Sequence, residues 1–174
     1  MSTNSSRSMG TAMLIVAWVI LLGLLGWAFS SILDHQENPN QQPTSHSSNN
    51  TTTLTLQSNR QHHYVTRGVI NNQSVKLLLD TGATDVVVPL KLAKVLALSK
   101  GRAGTARTAN GNITVYQTII PKLTIDGLVF RNLRASLNPA MTEDDAILLG
   151  MSALKQVDIA ISQNTLTLKQ RHRQ

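Results

Sequence analysis

The stretch VKLLLDTGATDVVVP, residues 75–89, runs three leucines, Leu77, Leu78 and Leu79, straight into a carboxylate, Asp80, and then into Thr81 and Gly82. That order describes an apolar strand ending in a tight loop that presents Asp80. A carboxylate held in such a loop is available for proton transfer. It is equally suited to a plain β-turn in which Asp80 caps its own backbone and Gly82 supplies a positive φ. The tripeptide alone does not choose between the two. Few other residues compete for chemistry. His62-His63 lacks the spaced partners of a zinc motif, and Glu143-Asp144-Asp145 lacks the alternating oxygen ligands and Gly turn of a calcium loop. No serine triad can be assembled and no phosphate-binding Gly loop occurs. Cysteine is absent, which removes disulfide scaffolds, thiol catalysis and Cys-ligated zinc. No metal and no cofactor is expected.

The elements that would position Asp80 read as short strands separated by turn signals. YVTRGVI and SVKLLLD flank Asn71-Asn72-Gln73 as a hairpin, because Asn tolerates the left-handed conformations of tight turns. DVVVP is another short strand. LKLAKVLAL, residues 90–98, carries Leu92, Val95 and Leu96 at helical spacing, so one short helix is expected to pack on the sheet. Asn110-Gly111 and Asp126-Gly127 mark two further hairpin tips. AILLG reads as a buried strand, MSALKQ as a helical turn, and VDIAISQNTLTLK as a terminal hairpin around Gln163-Asn164.

Ahead of these strands, residues 11–33 contain no charged side chain. At about 1.5 Å per residue this length crosses a hydrocarbon core of about 30 Å, and the signal-peptide alternative lacks a fitting cleavage site. The expected organisation is therefore residues 1–10 in the cytoplasm, a transmembrane helix over 11–33, a flexible polar linker over 34–53, and a folded domain over 54–174. The linker expectation rests on Asn, Gln, Ser and Thr richness broken by Pro39 and Pro43. Arg7 precedes the span and no Lys or Arg follows until Arg60, which places the domain outside the cytoplasmic membrane, in the periplasm of a Gram-negative cell. Lys and Arg number 16 against 9 Asp and Glu, a formal net charge of +7, and all but Arg7 follow residue 53. No basic run is interleaved with aromatics, so nucleic acid is not the expected partner.

These motifs, taken in order, resemble the retropepsin-like branch of the aspartic peptidases, and specifically its bacterial membrane-anchored members. The resemblance covers residues 60–170: LLLDTGAT, the short helix after it, TANG at 108–111, and ILLGMSAL at 147–154. It implies an all-β, closed retropepsin-like barrel or sandwich with one or two short helices. It also implies that Leu148-Leu149-Gly150 lies beneath the loop, where the missing Cβ of Gly150 lets two backbones approach. Asp80 would be catalytic, with Thr81, Gly82 and Gly150 supporting the loop. Ala83, Thr84 and Asp85 would contact substrate, as would Ala109, Asn110 and Gly111 at the tip of a flap. Two departures stand out. The tip is less Gly-rich than retroviral flaps, and Thr84 replaces an acidic residue, so that the adjacent Asp85 either substitutes for it or simply faces solvent.

One Asp-Thr-Gly supplies one carboxylate, whereas peptide hydrolysis of this type needs two that share a proton. The implied partners are thus a second copy of the chain, in a homodimer, and a protein or peptide substrate. The expected function is that of a membrane-anchored aspartic endopeptidase. The alternative is a non-catalytic peptide-binding or structural module of the same fold, using the groove for strand addition.

Overall fold

The computed structural model describes residues 4–108 and 111–171. The chain divides into two units, residues 1–37 and 38–174. The first is one helix, α1 (Asn4–Glu37). Its segment Gly10–Glu37 is long and apolar enough to cross a membrane, with a mean hydropathy of 2.4 over an 18-residue window. By length and composition it fits either a membrane span or a signal sequence.

The second unit is built of strands. In chain order they are β1 (Ser45–Ser48), β2 (Thr51–Gln57), β3 (Val65–Ile70), β4 (Gln73–Leu79), β5 (Val86–Pro89) and β6 (Ala103–Thr108). There follow β7 (Gly111–Ile125), β8 (Leu128–Asn138), β9 (Ile147–Leu149), the one-turn helix α2 (Met151–Leu154), β10 (Asp158–Ser162) and β11 (Thr165–Arg171). One sheet has the order β3-β4-β9-β5-β8-β7-β6, and pairing of β3 with β7 through Val69↔Thr124 and Ile70↔Leu123 closes six of its strands into a ring. The other sheet has the order β1-β2-β11-β10. The fold is therefore the closed, mostly-β arrangement that the motifs imply.

Alternation along the strands explains why the ring fills. Leu77, Ile120, Leu123, Ile125, Phe130 and Leu137 are all fully or almost fully buried, each contributing about 2 kcal/mol of transfer free energy. Leu54 and Leu56 of β2, with Leu166 and Leu168 of β11, join the same cluster from the second sheet. The turns use the expected residues: Asn71 and Asn72 have φ of 47° and 70°, Asp126 49° and Gln163 53°.

Two expectations are corrected. Residues 34–53 are not a flexible linker, because the β-unit begins at Asn38 rather than residue 54. Polarity misled the reading: here the polar groups replace backbone hydrogen bonds. Asn40 is 8% exposed; its Nδ2 donates to Gln57 O at 2.9 Å and Val65 O at 2.7 Å, and its Oδ1 accepts from Gln57 N at 2.7 Å. Further along, Ser45 N–H donates to Asp126 Oδ2 at 2.6 Å, while Gly127 N–H donates to Ser45 Oγ at 3.1 Å. The Ser45 hydroxyl and then its N–H hold the Asp126 carboxyl below the usual carboxylate range.

The second correction concerns residues 90–98. Only Leu90–Leu92 form a 3-10 turn. Ala97 takes φ 51° and Leu98 N–H reaches back to Ala93 O at 2.8 Å, a Schellman closure that ends the helix after a turn. Burying Leu96 and Leu98 on the barrel favours this over a longer helix.

Replacing Asn40 with Ala removes the partner of the buried Val65 carbonyl and of the half-buried N–H and carbonyl of Gln57. With about 1 kcal/mol or more for the buried group and less for the other two, Asn40→Ala should lower stability by about 2 kcal/mol, seen as an earlier urea midpoint for the β-unit by circular dichroism. An unchanged midpoint would mean that residues 38–48 are not part of the folded unit.

Candidate active site

The loop Asp80–Asp85 joins β4 to β5, which do not pair with each other. β9 lies between them, parallel to β4 through Leu77↔Ile147, Leu78↔Leu148 and Leu79↔Leu149, and antiparallel to β5 at Val87↔Leu148. The loop therefore crosses the end of β9. Asp80 N–H donates to Leu149 O at 3.2 Å, Met151 N–H to Ala83 O at 2.8 Å, and Ser152 N–H to Thr84 O at 2.9 Å. The chain of β9 and α2 thus satisfies main-chain groups of Asp80, Ala83 and Thr84 in the loop. Gly150 makes this possible: a Cβ there would run into the carbonyl oxygens of Asp85 and Ala83. Its expected place beneath the loop is the place it occupies.

Asp80 is half-buried, and its Oδ1 accepts the Gly82 N–H at 2.8 Å. This is the self-capping turn, yet it uses one carboxylate oxygen only; Oδ2 accepts no hydrogen bond among the described residues. Gly82 does not adopt a positive φ. Its small size matters instead, since a Cβ would sit 3.1 Å from Asp80 Oδ1. Thr81 and Thr84 are exposed, and Ala83 is half-buried.

Asp85 is also half-buried. Its Oδ1 lies 3.1 Å from Arg134 Nη2, an ion pair in which that buried oxygen accepts no hydrogen bond among the described residues. Of the residues expected at a flap tip, Gly111 opens β7 with φ 109°, a conformation that suits Gly at a hairpin tip, and its carbonyl accepts from Thr108 Oγ1 at 2.8 Å. Ala109 and Asn110 lie outside the described residues. Residues 80–85 and 150 are brought together; Gly111 sits on a separate hairpin, without a hydrogen bond to the loop.

Ser152 escaped the sequence reading. It is 4% exposed; its Oγ accepts from Val86 N–H at 3.1 Å and donates to Arg134 O at 2.7 Å. One hydroxyl so ties the start of β5 to β8 just past the loop. The available signal was a hydroxyl in an otherwise apolar turn, ILLGMSAL. Arg134 was missed because its link to Asp85 spans 49 residues. Asp145 accepts from Thr142 N–H at 2.7 Å, so part of the acidic run caps its own loop.

Gly150→Ala should force loop and β9 apart, costing about 3 kcal/mol as an overpacking substitution and broadening the amide signals of residues 80–85. Ser152→Ala should cost about 1–2 kcal/mol by stranding the buried Val86 N–H and removing the hydroxyl from the half-buried Arg134 carbonyl. If both variants unfold at the wild-type denaturant midpoint, the clamp contributes nothing.

Comparison with known proteins bears on the family and the fold. The family model for the gag-polyprotein putative aspartyl protease matches residues 66–156, or 91 of 174 residues. An uncharacterised protein of the cobV 5' region from a Sinorhizobium species is 26% identical over 109 residues, covering 61% of this chain and 46% of that protein. The chain thus spans about half the length of this curated relative. The crystal structure of a retropepsin-like aspartic protease from Rickettsia conorii superposes with a TM-score of 0.57 at 22% identity, covering 74% of this chain and 94% of that one. EIAV protease complexed with the inhibitor HBY-793 matches at a TM-score of 0.39 and 22% identity, over 49% of this chain and 79% of its own. The chain belongs to the gag-polyprotein putative aspartyl protease family and has the retropepsin-like fold.

Proposed function

We propose that the chain is an aspartic endopeptidase, held to the membrane by residues 11–33, that hydrolyses peptide bonds as a homodimer with one Asp80 from each subunit. The observation that carries the reading is the loop itself. Asp80 is fixed by its N–H on Leu149 O and by its Oδ1 on Gly82 N–H, yet its Oδ2 has no partner among the described residues. The clamp beneath the loop fixes the place at which this free oxygen is presented.

In the proposed mechanism two Asp80 carboxyls face each other and hold one proton. Like charges about 3 Å apart do not both ionise readily, so the pair titrates in two separated, coupled steps. The ionised member takes a proton from a water whose oxygen attacks the scissile carbonyl carbon. The protonated member gives its proton to the carbonyl oxygen. The tetrahedral species then collapses, the C–N bond breaks, and the amine leaves with a proton from the dyad. Thr81, Gly82 and Gly150 support the loop; Ala83, Thr84 and Asp85, with Ala109, Asn110 and Gly111 of the flap, are the proposed substrate contacts.

Support for the dimer comes from β10. It is the outer strand of its sheet, every residue in it is exposed, and Ile159 and Ile161 are 38% and 61% exposed. Such an edge is a template for pairing with another copy. Arg7 ahead of the span favours a domain on the outer, periplasmic side of the cytoplasmic membrane. The second reading, a non-catalytic peptide-binding module, draws on the Gly82–Asp80 cap, which such a module would keep.

Hydrolysis of a peptide library by the detergent-solubilised full chain separates the two. Asp80→Asn keeps shape and cap but removes base and shared proton. It should abolish cleavage by more than the roughly 10²–10⁴-fold of one acid–base group, with an unchanged thermal midpoint. Activity near wild type in that variant would move the chemistry elsewhere. Binding without cleavage by the unaltered chain would support the module.

A further inference from the structure

A cleft of about 760 Å³ opens beside Asp85, within the range of roughly 300–1,000 Å³ typical of ligand sites. Gln117 and Ile119 of β7 and Arg134 of β8 form one side, and the segment ending in Arg102 forms the other. The two sides are joined by main chain: Gly101 N–H donates to Gln117 O at 2.9 Å, and Gln117 N–H to Arg102 O at 2.9 Å. The cleft is thus a consequence of the fold rather than of loosely placed side chains.

Its charge is unbalanced. Asp85 is the one carboxylate in the lining, and Arg134 pairs with it at 3.1 Å. Arg102 has no carboxylate within ion-pair distance among the described residues. Nearby, Lys100 Nζ lies 3.7 Å from the centre of the Tyr116 ring, held by a cation–π contact rather than by an acid. Ile119, 60% exposed, offers the lining an apolar surface. An unpaired guanidinium next to apolar surface suits a carboxylate carried on methylenes.

Position links the cleft to the proposed chemistry. Asp85 ends the loop that begins at Asp80, and five residues span at most about 17 Å. An extended peptide lying on the loop therefore reaches the cleft within about five residues of the bond to be cut. We propose that this cleft is a subsite for an acidic side chain, Glu or Asp, of the bound peptide, with Arg102 selecting it and Asp85 holding Arg134 in place. This subsite rests on the peptidase reading.

Two measurements on the full chain in detergent test it. The first is kcat/KM for library peptides resynthesised with Glu, Gln or Lys at each position within five residues of the cut. One position should favour Glu over Gln by about tenfold, through KM, as a charge-assisted contact would. Arg102→Gln should erase that preference, and Arg102→Glu should turn it toward Lys. The second measurement needs no hydrolysis: fluorescein-labelled (Ala-Glu)₄ and (Ala-Gln)₄ are titrated into the Asp80→Asn protein. The Glu peptide should bind at least fivefold more tightly, with the difference lost in Arg102→Gln and retained in Arg131→Gln, a control for general surface charge. Equal loss in both variants, or a Glu preference that survives Arg102→Gln, overturns the subsite. If the unaltered chain cuts nothing while the Arg102-dependent binding persists, the peptidase reading fails and the subsite stands.

Discussion

A loop that crosses the end of a buried strand must find partners for its own main-chain groups, and this requirement organises the β-unit. The carbonyls of Ala83 and Thr84 accept from Met151 and Ser152, while Asp80 N–H donates to Leu149. An unsatisfied buried main-chain group costs about 1–3 kcal/mol, so losing several of these bonds together would consume a sizeable share of a small domain's stability. The bonds can form only where two backbones come close enough, and Gly150 alone permits that approach. β9 must then lie between β4 and β5, which sets the sheet order and leaves Asp80 at a fixed point on the surface of the ring.

The same requirement explains what was legible in the sequence. Asn71-Asn72 and Asp126-Gly127 announce turns because their conformational needs are local, and the structure places turns at both. Gly150 was legible through the resemblance of Leu148-Leu149-Gly150 to the apolar-apolar-Gly segment of the aspartic peptidases. The reading failed where polar residues act as substitutes for main-chain partners. Asn40 looks like linker by composition, yet it bonds Gln57 and Val65 inside the fold. Ser152 does the same between β5 and β8. Both depend on segments distant in sequence, as does the Asp85–Arg134 pair. The helix expected over 90–98 failed for a related reason, since burial of Leu98 outweighs helical spacing in so short a run.

The clamp also separates two properties that the Asp-Thr-Gly motif combines. Position is supplied by one chain: the Asp80 main-chain N–H is held from below by the Leu149 carbonyl, and its carboxylate from within the loop by the Gly82 N–H. Chemistry of the proposed kind is not supplied by one chain, because a lone carboxylate is either base or acid at any moment. The exposed β10 edge, with Ile159 and Ile161, is the feature of the β-unit best suited to bring a second copy into place. Confinement of helical segments such as α1 to one bilayer would favour the pairing through effective concentration, without new contacts.

The central claim is that the active species contains two Asp80 side chains. The most direct measurement mixes unaltered full chain with increasing Asp80→Asn chain in detergent, under subunit exchange, and follows peptide hydrolysis together with sedimentation. The account predicts a loss of activity steeper than simple dilution, as inactive mixed dimers form, and a fall in specific activity once dilution yields monomers. Constant activity per unaltered chain at every mixing ratio, from a species that sediments as a monomer, would contradict it.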